Sequence, residues 1–108
     1  MAVKRVLFLC SQNKLRSPTA EQIFASWPGI EVSSAGLNHD AEEPLTAEMV
    51  READLIFVME KAHRNRLAKR FKAALRARVV CLDIPDDYEF MDPDLVKLLQ
   101  ARVRRHLP

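Results

Sequence analysis

Four apolar runs of strand length recur along the chain, separated by segments with helical spacing. Val3–Cys10, Ile30–Ser34, Asp54–Glu60 and Val79–Leu82 read as strands. Their apolar residues are nearly continuous, as in Leu55, Ile56, Phe57, Val58 and Met59, rather than alternating. Strands of that kind are buried on both faces, which suits a parallel sheet. The intervening segments predict helices. Pro18–Trp27 has Ser17 as a candidate N-cap, Pro18 at the first helical position and Glu21 in the first turn. Thr46 caps a short helix through Arg51, and Asp92 caps a last helix over Pro93–His106. Lys61–Leu75 is a basic amphipathic helix with Leu67, Phe71 and Leu75 repeating every four residues. Gly36 marks a turn, and Asn38–Pro44 and Asp83–Asp92 are polar loops. The order βαβαβαβα predicts an α/β fold, a three-layer sandwich around a four-stranded parallel sheet.

A chain of 108 residues supports one domain spanning 1–108 with one sheet at its centre. A formal charge of +2 is too small to argue for a nucleic-acid or membrane partner. No apolar run approaches the roughly 18 residues of a membrane span. Val6–Cys10 is too short for the apolar part of a signal peptide, so the expected location is cytoplasmic. Arg102, Arg104, Arg105 and His106 form a basic tail, read as a solvated helix end with an anion-binding tail as the alternative. The two cysteines, Cys10 and Cys81, make no disulfide framework, and no third or fourth ligand stands at zinc spacing.

In open parallel sheets, ligands bind at the carboxyl ends of the strands, near the point where the strand order reverses. The first strand ends on Cys10, and the loop Ser11-Gln12-Asn13-Lys14-Leu15-Arg16-Ser17 leads into a helix. A loop between strand and helix aims backbone N–H groups inward and binds anions such as phosphate. Such donors stabilise a thiolate over a thiol. A thiolate aimed at a bound phosphate is a nucleophile for phosphorus. Arg16 would fork onto two phosphoryl oxygens, a geometry that lysine matches poorly. Ser17 would donate its hydroxyl to the sulfur. A cysteine closing an apolar strand is also an ordinary core residue; the strand, the polar loop and the helix opening at Arg16-Ser17-Pro18 favour the catalytic reading.

Val6-Leu-Phe-Leu-Cys10, Asn13 and Arg16-Ser17-Pro18-Thr-Ala20-Glu21 resemble the opening of the low-molecular-weight protein tyrosine phosphatases. Ser33-Ser34-Ala35-Gly36-Leu37 resembles that family's second-strand motif, and Ala53–Glu60 its third. Ile84-Pro85-Asp86-Asp87-Tyr88 resembles the loop that carries its general acid, usually an Asp-Pro-aromatic sequence. The resemblance implies the flavodoxin-like sheet order 2-1-3-4 and a phosphate-monoester hydrolase working through a phosphocysteine on Cys10. It implies that Arg16 holds the phosphoryl group, Asn13 keeps the loop in its shape, Ser17 donates to the thiolate and Asp86 is the general acid, with Asp87 as the rival. Tyr88 is a candidate for the substrate rim, and core packing competes with such a role at Phe90. The implied substrate is a phosphate ester, with a phosphotyrosine protein or a small aryl phosphate as candidates. No cofactor and no metal are implied.

The sequence departs from the family's pattern at several points. Gln12 stands where the family usually has glycine, which implies either a different backbone or strain. Leu15 replaces a second cysteine, Lys14 adds a charge, and the segment from Gly36 to Asp54 is short. Cys81 and Trp27 read as core residues; His63 reads as a surface or capping residue with a substrate-rim role as the alternative, and His39 as a weak candidate for a phosphate contact. Two other functions compete: a non-catalytic module that binds phosphate or phosphotyrosine, and a thiol-dependent arsenate reductase.

Overall fold

The computed structural model describes residues 3–108, so Met1 and Ala2 of the expected 1–108 domain lie outside the described residues. The elements are β1 (Lys4–Cys10), α1 (Arg16–Phe24), β2 (Ile30–Gly36), α2 (Ala47–Glu52), β3 (Leu55–Val58), α3 (Lys61–Arg70), β4 (Arg78–Cys81) and α4 (Pro93–Val103), followed by a 3-10 turn at Arg104–His106. All strand pairs are parallel and the sheet order is β2-β1-β3-β4, as expected. The chain leaves β1 for β2 on one side and then crosses to β3 on the other. The carboxyl end of β1 is therefore the switch point at which such sheets open a crevice.

The period-2 geometry of β1 divides the core. Val6, Phe8 and Cys10 face one layer with Phe24 of α1, Phe57 of β3 and Leu95, Leu99 and Val103 of α4. Leu7 and Leu9 face the other layer with Val50 of α2, Ile56 and Val58 of β3 and Leu67 of α3. Phe8 stacks at 5.3 Å on Phe57 and at 5.9 Å on Phe24, which ties strand pairing to helix packing. Thr46 and Asp92 cap α2 and α4 by accepting from the backbone N–H of Met49 (3.2 Å) and Asp94 (2.9 Å).

Some elements differ from the sequence expectation. Helix α1 begins at Arg16, with Leu15 at its N-cap and no side-chain cap. Ser17 and Pro18 fall inside the first turn, where a missing N–H costs nothing. Helix α3 stops at Arg70, and Phe71 and Leu75 pack on the second core from the turn that follows. Cys81 and its neighbours Val79 and Val80 are only partly buried, because β4 is an edge strand. Trp27 packs on the first core, edge-on to Phe24 at 5.7 Å, but is only half-buried; its indole N–H donates to the Pro108 carbonyl at 3.3 Å. Among the described residues no helix is long and apolar enough to cross a membrane.

Gly36 pairs with Cys10 across β1 and β2. A β-carbon there would stand 2.4 Å from Ala41 Cβ and 2.6 Å from the Ser11 carbonyl oxygen. Glycine is needed at this point for close approach, not for backbone conformation. Gly36→Ala is expected to destabilise the protein by about 2–3 kcal/mol, as overpacking does elsewhere; the shift in the urea unfolding midpoint measures it.

Candidate active site

The loop after β1 is held from outside. The carbonyls of Cys10, Ser11 and Gln12 accept from the backbone N–H groups of Leu37 (2.9 Å), Asn38 (3.0 Å) and Glu42 (3.1 Å). In a trans peptide the N–H points opposite to the carbonyl. The N–H groups of Ser11, Gln12 and Asn13 are thus turned away from the 37–42 segment, and that of Asn13 reaches Cys10 Sγ at 3.3 Å. The left-handed backbone of the loop sits at Asn13, with φ of 57°, a conformation that asparagine tolerates. Gln12 has no positive φ, so the absence of glycine there costs no strain.

Cys10 is buried, with its sulfur at the floor of the loop. Its Sγ lies 3.0 Å from Ser17 Oγ. Ser17 Oγ in turn accepts from Asn13 Nδ2 at 2.9 Å, which leaves its own proton free for the sulfur. The second hydrogen of Asn13 Nδ2 goes to Ser34 Oγ at 2.9 Å, and Ser34 donates to Glu21. This chain of donors fixes the direction of the Ser17 hydroxyl. It also explains why Ser17 does not cap α1, since its hydroxyl is already engaged. Asn13 and Ser17 are buried behind the loop, while the cleft in front, about 100 Å³, is lined by Cys10, Ser11, Gln12, Lys14, Leu15, Arg16 and Asp86.

The guanidinium of Arg16 is buried and anchored on one nitrogen. Nη1 donates to Glu60 Oε2 (2.7 Å) and to the Ile84 carbonyl (2.8 Å). Nε lies 3.6 Å from Asp86 Oδ1. Among the described residues Nε and Nη2 make no hydrogen bond, and this pair is the edge that forks onto two oxygens of one anion.

Asp86 is exposed at the crest of a loop pinned at both ends. Leu82 and Ile84 N–H donate to the Val58 and Met59 carbonyls, and Met91 N–H donates to Thr19 Oγ1 of α1. Asp87 is exposed and does not line the cleft. Tyr88, expected at the substrate rim, is half-buried against the first core and outside the cleft lining. Phe90 is exposed, beside Pro18, Glu21 and Gln22.

His63 takes the capping role that is one of its sequence readings, and a contact with the loop that is not among them. It is buried, not a surface residue. Its Nδ1 accepts from the Glu60 backbone N–H at 3.2 Å, closing a capping box with Glu60 at the start of α3. The proton therefore resides on Nε2, which donates to Ser11 Oγ at 3.0 Å. Burial, then the nearby Arg16 charge, push the His63 pKa down to about 4; Arg66 acts in the same direction, and Glu60 and Asp86 against it. The signal in the sequence is Glu60-x-x-His63, directly after the third strand. Glu60 thus orients Arg16, and His63 fixes Ser11, from one helix start.

Cys81 lies at the carboxyl end of β4, paired with Val58, while Cys10 ends β1 two strands away. At about 4.8 Å per strand the two are too far apart for a disulfide, and both thiols are free. Burial raises the Cys81 pKa.

No family model matches the chain. Individual relatives do. The probable low molecular weight protein-tyrosine-phosphatase AmsI of Erwinia amylovora is 31% identical over 103 aligned positions, which span 72% of this chain and 70% of the relative. The protein-arginine-phosphatase of Bacillus subtilis is 30% identical over 94 positions, spanning 61% of this chain and 62% of the relative. Among solved structures, the tyrosine phosphatase Wzb of Escherichia coli K30 in complex with phosphate superposes with a TM-score of 0.78 over 96% of both chains, at 22% identity. With the fold, the β1 loop and these relatives in agreement, the chain belongs to the low molecular weight protein-tyrosine-phosphatase family, whose members are cysteine-dependent phosphatases.

Proposed function

We propose that the protein, read as one catalytic domain, hydrolyses phosphate monoesters through a phosphocysteine on Cys10. The observation that carries this reading is the convergence of the Ser17 hydroxyl and the Asn13 N–H on the buried Cys10 sulfur, at the floor of a cleft walled by Arg16 and Asp86. Loop N–H groups and the free Nε/Nη2 edge of Arg16 bind the phosphoryl oxygens and hold the phosphorus over Sγ. The thiolate attacks in line, the S–P bond forms, and the P–O bond to the leaving group breaks. Asp86 gives its proton to the departing oxygen. It then takes a proton from water as that water attacks the phosphocysteine, which releases phosphate and returns the thiolate. Charge on the equatorial oxygens is met throughout by donors already in place.

Lys14, exposed on the cleft lining, disfavours a cationic leaving group and favours a neutral aryl one. A phosphotyrosine protein or a small aryl phosphate is accordingly the substrate class. The two free thiols fit a reducing, cytoplasmic setting. The separation of Cys10 from Cys81 speaks against a disulfide relay between them, which an arsenate reductase confined to this chain would use.

Turnover of p-nitrophenyl phosphate without added metal tests the reading. Cys10→Ser is expected to fall to background, and Arg16→Lys to lose about 10²–10³-fold in kcat/KM. Asp86→Asn is expected to lose about tenfold on this ester and about 10²-fold or more on a phosphotyrosine peptide, whose leaving group needs the proton more. Asp87→Asn should stay near wild type on both. Acid-quenched enzyme should carry one phosphoryl group mapped by mass spectrometry to Cys10. A chain that binds phosphate yet turns over none of these esters would instead be a binding module.

His63 supplies a pH prediction. Its native pKa of about 4 lies below the ordinary 6.5, so between these values the unfolded chain binds a proton that the native state does not. Stability is expected to fall as pH is lowered through this window, by up to about 3 kcal/mol. Urea unfolding across the window should show the slope in wild type, and a weaker slope in His63→Asn.

A further inference from the structure

The charges of this protein are segregated. Eight of its seventeen cationic side chains fall between Lys61 and Leu82, a stretch with no Asp or Glu. The rest of the chain carries nine cations against fifteen carboxylates. Near-neutrality overall therefore hides a basic flank on an acidic body.

Helix geometry places much of this charge on one outer face. Lys61, Arg64 and Lys69 lie within an arc of about 140° on α3 at 100° per residue. All three are exposed, and among the described residues none has a carboxylate partner. The inner side of the same helix is spent on structure: His63 and Leu67 are buried, Arg66 donates to Asn38 Oδ1 at 2.8 Å, and Arg70 donates to the Leu37 carbonyl. Lys72 and Arg76 continue the exposed charge past the helix end. At its start the face meets the cleft. Lys61 follows Glu60, the partner of Arg16, and lines a shallow depression with Glu60, Ala62, Asp83 and Pro85, the last adjacent to Asp86. Lys14 adds a cation on the cleft lining itself.

We propose that the outer face of α3 is a docking surface for an acidic segment flanking the phosphorylated residue of a protein substrate. The inference rests on the phosphatase reading of the cleft and adds the partner's chemistry. A polyanionic segment gains from several unpaired cations at once, and such fields raise association rates. Continuity with a cleft for one phosphate monoester favours an acidic phosphoprotein over a nucleic acid, which would present a phosphate at every step.

The test compares phosphotyrosine peptides with Glu/Asp or Gln/Asn flanks, and p-nitrophenyl phosphate, on wild type and on the triple variant Lys61→Gln/Arg64→Gln/Lys69→Gln. Salt is raised across the range where the Debye length falls from about 30 Å to about 8 Å. The expected result is a kcat/KM preference for the acidic peptide of about tenfold at low salt, lost with salt and lost in the triple variant. Turnover of p-nitrophenyl phosphate should be the same in both proteins. A charge-reversed variant, Lys61→Glu/Arg64→Glu/Lys69→Glu, should prefer a Lys/Arg-flanked peptide. Equal kcat/KM for acidic and neutral peptides on wild type, or an acidic preference that survives in the triple variant, overturns the proposal. Binding of a single-stranded RNA oligonucleotide tighter than the acidic peptide, abolished by the same triple substitution, also overturns it. Fluorescence anisotropy of the labelled peptides reads the docking without turnover. Failure on p-nitrophenyl phosphate therefore sinks the phosphatase reading and with it the docking of a substrate, while failure of the acidic preference in anisotropy, with turnover intact, sinks the docking surface alone.

Discussion

Leu37, Asn38 and Glu42 hold the carbonyls of Cys10, Ser11 and Gln12 from behind, and the shape of the whole site follows from those three hydrogen bonds. They turn the peptide planes after β1 so that the N–H groups point away from the 37–42 segment, that of Asn13 onto the Cys10 sulfur. They are possible only because Gly36 has no side chain between the Ser11 carbonyl and Ala41. A short segment between β2 and α2 is therefore sufficient. It shapes nothing in front of the cleft, yet it carries the frame on which the sulfur, its donors and Arg16 are arranged.

A second frame comes from the start of α3. The Glu60 carboxylate fixes one nitrogen of Arg16, and the His63 imidazole fixes Ser11. Because His63 accepts from the Glu60 backbone with one nitrogen and donates with the other, its neutral form alone satisfies both contacts. Burial of the ring beside Arg16 favours the same neutral form. Helix capping, tautomer and loop position are thus one constraint with three readouts. An ion pair of Arg16 with Glu60 would gain little net energy by itself once desolvation is counted. Its physical effect here is orientation, since it leaves the Nε/Nη2 edge free.

Strands, sheet class and the Cys10–Arg16 loop were legible because their signals are local and repeated. An apolar run needs only its own residues to be read, and Thr46 and Asp92 act on N–H groups two or three positions on. Single side chains that answer to distant partners were not legible. Ser17 looks like a cap until a sulfur seven residues earlier takes its hydroxyl. The cap that His63 makes is local and could be read, whereas its bond to Ser11, 52 residues away, could not. Tyr88 has the composition of a rim residue, yet its ring packs half-buried against the first core. Cys81 reads as core because an edge strand and a central strand look alike in four residues.

The two carboxylates beside Arg16 differ in freedom, and the proposed reaction uses that difference. Glu60 is held by Arg16 Nη1 and by its own helix cap, so it stays put when the cleft fills. Asp86 is exposed, and its oxygen is 3.6 Å from Nε, beyond a good hydrogen bond. In the proposed reaction the phosphoryl group takes the Nε and Nη2 edge of Arg16 as a fork, and of the two carboxylates only Asp86 has to yield to it. The division of labour in the proposed reaction follows from that difference: Glu60 stays as the anchor of Arg16, and Asp86, on a loop pinned at Ile84 and Met91, is the carboxylate left free to serve the leaving oxygen.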